Sequence, residues 1–302
     1  MRAAAIFFTF AIAAFAGVIK DVRDAVARGD FTAADSAVTS YRKTQGVTPE
    51  MLEAQSWIAR GALSSKRLDA AEAYAKKTLS ESVAAMKQYP LDSERYLPIA
   101  VGAAIEVEGQ VLAARGRRAE AIEFLRAQLE TYRKSSLRPR IQKNIHLLSI
   151  EGKPAPALRI EDHLGPKPLP LQSLRGKSVL LFFWAHWCGD CKQEAPILAR
   201  LEKEYAGRMV LVAPTQHYGY VARGEDAPKN VERAYIEQVR TSLYADIAKA
   251  PAPLSEENFQ VWGVSTTPTI VLLDAKGIVR LYHPGRMLYE ELRAAIEKMM
   301  GS

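Results

Sequence analysis

From about Val18 to Leu148, apolar residues recur at helical spacing on an Ala-rich background with almost no strand-like runs, and the pattern predicts an all-helical segment. Three stretches inside it are alike: Gly29-Asp30-Phe31-Thr32-Ala33-Ala34, Lys66-Arg67-Leu68-Asp69-Ala70-Ala71 and Gly116-Arg117-Arg118-Ala119-Glu120-Ala121. Each reads as a turn followed by the start of a helix. Their spacings, 37 and 50 residues, are uneven. Trp57, Ile58, Leu63, Leu125 and Leu129 are expected in the core. At Glu151-Gly152-Lys153-Pro154-Ala155-Pro156 the helical period stops, because Gly and Pro force an extended chain. Beyond that point short apolar runs alternate with helical ones. Val179–Phe183, Met209–Pro214, Thr269–Leu273 and Ile278–Tyr282 read as strands, and Asp190–Tyr205, Asn230–Ile247 and Leu288–Met300 as helices. Asp274-Ala275-Lys276-Gly277 joins the last two strands as a hairpin. The second half is therefore expected to be an α/β domain around a central sheet.

Met1-Arg2 precedes an uncharged stretch to Ile19, with Ala14-Phe15-Ala16 before Gly17 as a small-x-small cleavage site. This reads as a secretory signal rather than a short membrane anchor, and it divides the chain into a signal at 1–16, a helical domain at 17–150 and an α/β domain at 151–302. The expected location is periplasmic or otherwise extracytoplasmic. Without Arg2 the net charge falls from +7 to about +6, dispersed along the chain rather than gathered in one stripe, so nucleic acid is not an expected partner. With 48% hydrophobic and 25% charged residues, the chain has the material for two globular cores.

Cys188 and Cys191 are the only cysteines, and they follow the apolar run Val179–Phe183 directly. A C-x-x-C that opens a helix places its first sulfur over unbonded backbone N–H groups, which stabilise a thiolate. The second sulfur lies one helical turn on and can displace a mixed disulfide. Cys188 is thus read as the attacking and Cys191 as the resolving thiol. A structural zinc site would need four ligands, and no second cysteine or histidine pair has ligand spacing. As a staple, a bridge across two residues removes little chain entropy. Asp190 sits between the sulfurs, where its carboxylate opposes a thiolate and favours a reducing couple, with Lys192 pulling weakly the other way. No metal and no cofactor is expected.

Several motifs together give a resemblance. Gly152-Lys153-Pro154-Ala155-Pro156, Leu174-Arg175-Gly176-Lys177, Phe183-Trp184-Ala185-His186-Trp187-Cys188-Gly189-Asp190-Cys191, the Glu194 and Pro196 spacing, and Gly263-Val264-Ser265-Thr266-Thr267-Pro268-Thr269 resemble the extracytoplasmic TlpA/ResA-like branch of thioredoxin-fold thiol–disulfide oxidoreductases. The resemblance covers about Gly152 to the C-terminus and implies a thioredoxin-like fold, a central mixed sheet flanked by helices. It further implies a cis bond before Pro268, a main chain at Thr267 that pairs with substrate peptide, a proton-relay role for Glu194, and a shielding, substrate-contacting Trp187. A solvent-facing place for Glu194 stays open. Pro196 is expected to interrupt and kink the active-site helix. Where thioredoxin has a buried acid six residues before the first cysteine, this chain has Phe182, so Glu194 or Asp190 must supply any carboxylate. Helical stretches with Ala34, Ala71 and Ala121 at the close-packing position are similar to tetratricopeptide hairpins, and an ordinary helical bundle would show the same seams.

The long segment from Gln216 to Pro253 departs from the family pattern, and its His217 and paired tyrosines are read either as lining a groove near the dithiol or as a packed surface loop. Copper-delivering relatives of this fold suggest His186 and His283 as ligands, but those relatives use a wider cysteine spacing. The leading expectation is a reductant of protein disulfides, fed by a membrane dithiol donor, with a helical domain that binds a protein partner. A thiol peroxidase is the alternative, although the Pro-x-x-x-Thr/Ser-x-x-Cys frame is absent before Cys188. A helical binding module carrying the redox half as a scaffold is the other.

Overall fold

The structure is a computed structural model and describes residues 17–301. The expected signal at 1–16, with its Ala14-Phe15-Ala16 site, lies outside the described residues. Packing divides the chain into two compact units, one up to Val111 and one from Leu112.

The first unit contains α1 (Val18–Ala27), α2 (Phe31–Gln45), α3 (Pro49–Ser64), α4 (Leu68–Ala85) and most of α5 (Leu97–Ala114). Local chemistry sets the helix starts: the Asp30 side chain accepts from Ala33 N–H at 2.9 Å, and Thr48 caps Met51 N–H just before Pro49. Ala59 and Ala62 on α3, Ala71 and Ala75 on α4, and Val107 and Val111 on α5 make one buried seam, since side chains this short let helices approach closely. Helix α5 is apolar and long enough to cross a membrane by length and composition, but over half of it is buried inside the protein.

The three similar stretches share one turn. Asp30 N–H bonds Ala25 C=O, Arg67 N–H bonds Ala62 C=O and Arg117 N–H bonds Leu112 C=O, at 2.8 to 2.9 Å, each with an inner bond from the residue before. This is the Schellman closure, and it needs a left-handed residue, supplied by Gly29, by Gly116 and by Lys66 at φ 58°. Ala34, Ala71 and Ala121 are all fully buried. The uneven spacing comes from the connection between α4 and α5, which carries a short 3₁₀ turn at Leu91–Ser93.

The second unit opens with α6 (Arg118–Thr131) and α7 (Arg138–Ser149), continues through β1 (His163–Leu164), β2 (Ser178–Phe183), α8 (Gly189–Glu204), β3 (Met209–Val212), α9 (Lys229–Leu243), β4 (Ala252–Pro253) and α10 (Glu256–Val261), and ends with β5 (Thr269–Leu273), β6 (Val279–Pro284) and α11 (Tyr289–Met300). The compact units thus divide one helix pair earlier than the change from helix to sheet at residue 150. The expected strands and helices are present to within a few residues. The two-residue strands β1 and β4, paired antiparallel, are too short to leave a periodic signal. The helix expected over 230–247 closes at Leu243, and a 3₁₀ turn at Ala245–Ile247 follows.

The main sheet has the order β3-β2-β5-β6, with β2 parallel to β3 and antiparallel to β5. Every residue of β2 is buried, so its alternating side chains feed two cores. Leu180 and Phe182 face α8, α9 and α11, whereas Val179, Leu181 and Phe183 face Phe259 and Trp262. Helix α8 continues through Pro196 instead of stopping there. The proline removes only the N–H that would reach the Lys192 carbonyl.

Helix α7 rests on the segment that leads into the Thr267-Pro268 loop. His146 Nε2 lies 3.0 Å from the Val261 carbonyl, and Arg138 donates to Gln260 at 2.5 Å. Gly263, at φ 62°, lies so close to α7 that a Cβ there would come within 2.4 Å of Lys143 N. Backbone cannot yield as a side-chain tip can, so Gly263→Ala is expected to destabilise the second unit by about 2 kcal/mol or more, read as a lower unfolding midpoint in urea. An unchanged midpoint would show that α7 is not held by this contact.

Candidate active site

Register brings the site together. Phe183, the last residue of β2, pairs with Thr269, the first of the antiparallel β5, so the chain leaving β2 and the chain entering β5 meet at one edge of the sheet. The first carries Trp184 to Cys188 and the second carries Thr267 and Pro268, joined by a cis bond. Thr267 Oγ1 is buried and without a hydrogen-bond partner.

Cys188 and Cys191 are disulfide-bonded with their Cα atoms 5.3 Å apart. Cys188 is the N-cap of α8, and Cys191 N–H donates to its sulfur at 3.0 Å. The same donor and the positive end of α8 would face a thiolate after reduction. Exposure separates the two sulfurs: Cys188 is 3% exposed and Cys191 0%, beside a Trp187 ring that is 49% exposed. Of the two cysteines only Cys188 reaches the surface at all, and Trp187 is the open surface next to it. Asp190 is exposed on the first turn of α8.

Glu194 is fully buried, which decides between its two readings in favour of the inward one. Its Oε2 accepts from Met287 N–H at 3.3 Å and lies 3.8 Å from Arg286 Nε, while Oε1 has no hydrogen-bond partner. Burial pushes its carboxyl up to about 7, against the pull of the Met287 N–H and Arg286, and Asp190 adds to the rise. Phe182, where thioredoxin has its acid, is core. A buried carboxyl stands instead on α8, at Glu194, one turn past Cys191.

Four residues of the site escaped the sequence. Tyr244 is buried, and its hydroxyl lies 3.0 Å from the Ala185 carbonyl and 3.2 Å from that of Cys188, so it clasps the turn closed by Cys188 N–H on Ala185 C=O. Glu232 is fully buried beside His186. Arg286 also donates to Gln193 at 2.6 Å, and Met287 supplies the N–H to Glu194. All four lie far along the chain from the cysteines, and only the general need of a buried polar group for a partner hints at them. Within Gln216–Pro253, Tyr218 packs edge-on against Trp187 at 5.6 Å between centroids. His283 instead lies 3.1 Å from the Arg286 carbonyl.

A mixed sheet that delivers a C-x-x-C to a helix start, opposite a cis-proline loop, defines a thioredoxin-fold dithiol protein. A model of the thioredoxin-like domain matches residues 171–300. The chain is 30% identical over 150 residues to the thioredoxin-like protein YneN of Bacillus subtilis (strain 168), spanning 49% of this chain and 79% of that one. It is 27% identical over 148 residues to the thiol-disulfide oxidoreductase ResA of Bacillus thuringiensis (strain Al Hakam), 49% of this chain and 78% of that one. With the thiol:disulfide interchange protein DsbE of Xylella fastidiosa (strain 9a5c) it shares 28% over 137 residues, 45% of this chain and 62% of that one. The chain belongs to the thioredoxin-like family, and through Cys188 and Cys191 it is a thiol–disulfide oxidoreductase.

A carboxyl raised on folding binds its proton more tightly in the native state than in the unfolded chain. Glu194 therefore supports folding fully below about 4.5 and loses that support as pH rises to about 7. Subtracting the pH–stability curve of Glu194→Gln from that of the wild type should give a fall of about 2 kcal/mol across this window. Parallel curves would refute the raised carboxyl.

Proposed function

We propose that this protein is an extracytoplasmic reductant of selected protein disulfides. The observation that carries the reading is the asymmetry of the pair: Cys188 at a helix N-cap with a sliver of access, Cys191 sealed behind it, and a protonatable Glu194 one turn further on. The Cys188 thiolate attacks one sulfur of a substrate disulfide, a mixed disulfide forms and one substrate thiolate leaves. Cys191 then loses its proton, with Glu194 as the acceptor in relay, and attacks the Cys188 sulfur. The second substrate thiolate leaves, the substrate has gained two electrons and the Cys188–Cys191 bond is closed. Trp187 offers a flat contact, and Thr267 before Pro268 offers main chain, to an extended substrate segment.

Asp190 motivates the direction, because its charge opposes the Cys188 thiolate. Sustained reduction outside the cytoplasm requires an electron donor, and a membrane dithiol relay meets that need. The signal at 1–16, the helical domain at 17–150 with its TPR-like turns, and the redox domain at 151–302 complete the reading. In it the helical domain holds a protein partner while the dithiol acts.

Equilibration of the reduced and oxidised protein in glutathione or dithiothreitol buffers, read by alkylation, should give a potential near or below about −270 mV. A value near about −120 mV would mean a disulfide-forming oxidant and would reverse the assignment. Asp190→Pro should raise the potential by roughly 30 mV or more, and no rise would remove Asp190 from the account of the poise.

A further inference from the structure

His186 is the second residue of the turn that carries Cys188, and 2% of it is exposed. Its imidazole is enclosed by the rings of Tyr218, Tyr220 and Tyr235, with centroids 5.3 to 5.4 Å away. Its Nε2 has no hydrogen-bond partner and faces Glu232 Oε1 at 3.7 Å. Glu232, on α9, accepts from the backbone N–H of Tyr218 at 2.5 Å and of Gly219 at 3.0 Å. One buried carboxylate thus binds the 218–219 backbone and faces the residue two before the attacking sulfur. Tyr218, so held, packs on Trp187 and also bonds the Trp184 carbonyl at 3.3 Å.

We propose that His186, facing Glu232, is a positioning residue through which the Gln216–Pro253 segment sets the reactivity of Cys188. The groups facing the imidazole are Glu232 and Tyr235 from α9, Tyr218 and Tyr220 from the loop before it, and Lys192 from α8. Burial lowers the affinity of the ring for a proton and Lys192 lowers it further, while Glu232 raises it. An imidazolium at this place adds a positive charge to the turn that carries Cys188, and its loss with rising pH makes the thiolate harder to form. Glu232 fixes where on the pH scale that change falls.

The proposal rests on Cys188 being the attacking sulfur. Iodoacetamide alkylation of the reduced full-length protein is followed against pH, with the labelled cysteine located by peptide mapping. Besides the ionisations of Cys188 and Glu194, the wild-type profile should show one further inflection. Glu232→Gln should move that inflection to lower pH by on the order of one unit, His186→Asn should abolish it, and the double variant should match His186→Asn alone. Where Glu232→Gln does not fold, Glu232→Asp draws the charge back from the ring and should move the inflection the same way. The absence of such a further inflection in the wild type, its survival in His186→Asn, or its staying unmoved by the Glu232 variants overturns the proposal. Label on Cys191 instead of Cys188 overturns the underlying assignment of attacker, and is told apart from the other failures by the mapped peptide.

Discussion

Everything in the redox half depends on a strand with no exposed face. Because both sides of β2 are buried, its direction and register are fixed by two cores at once, and a slip of one residue would exchange every side chain between them. That rigidity delivers Cys188 to the start of α8. There a sulfur takes the place that a hydroxyl or carboxylate usually fills, accepting the N–H of Cys191. The cap that begins the helix is also the reactive atom, so fold and chemistry share one hydrogen bond.

The site is a set of long-range clamps around that junction. Tyr244 closes the Cys188 turn from the far end of α9, burial raises its hydroxyl above the usual phenol range, and the group stays a donor at any ordinary pH. Thr215 Oγ1 and Tyr218 both reach the Trp184 carbonyl. These three clamps come from the segment between β3 and β5, so this segment fixes the backbone that leads into Cys188.

The sequence was legible where its signals are local. Helical period, short apolar runs, the C-x-x-C after a strand and the proline loop are all written within a few residues, and the elements they imply are present. Glu194 was half legible: its spacing marked it, but whether it faced solvent depended on Arg286 and Met287, which arrive from beyond β6. The pairing of His186 with Glu232 left no trace in order along the chain, because neither residue type nor spacing announces a partner across a loop and a helix. The short ladder of β1 with β4 was hidden for a similar reason, two residues being fewer than any period can show. The second compact unit begins at Leu112 because α7 lies against α10 and Gly263, a contact invisible to a reading that divides the chain by secondary structure.

Sulfur exchange proceeds in a line, with the entering atom, the attacked atom and the departing atom collinear. Cys188, a residue only 3% exposed, leaves little room for such a line. Such an approach favours a disulfide that stands proud of its surroundings over one sunk in a finished fold.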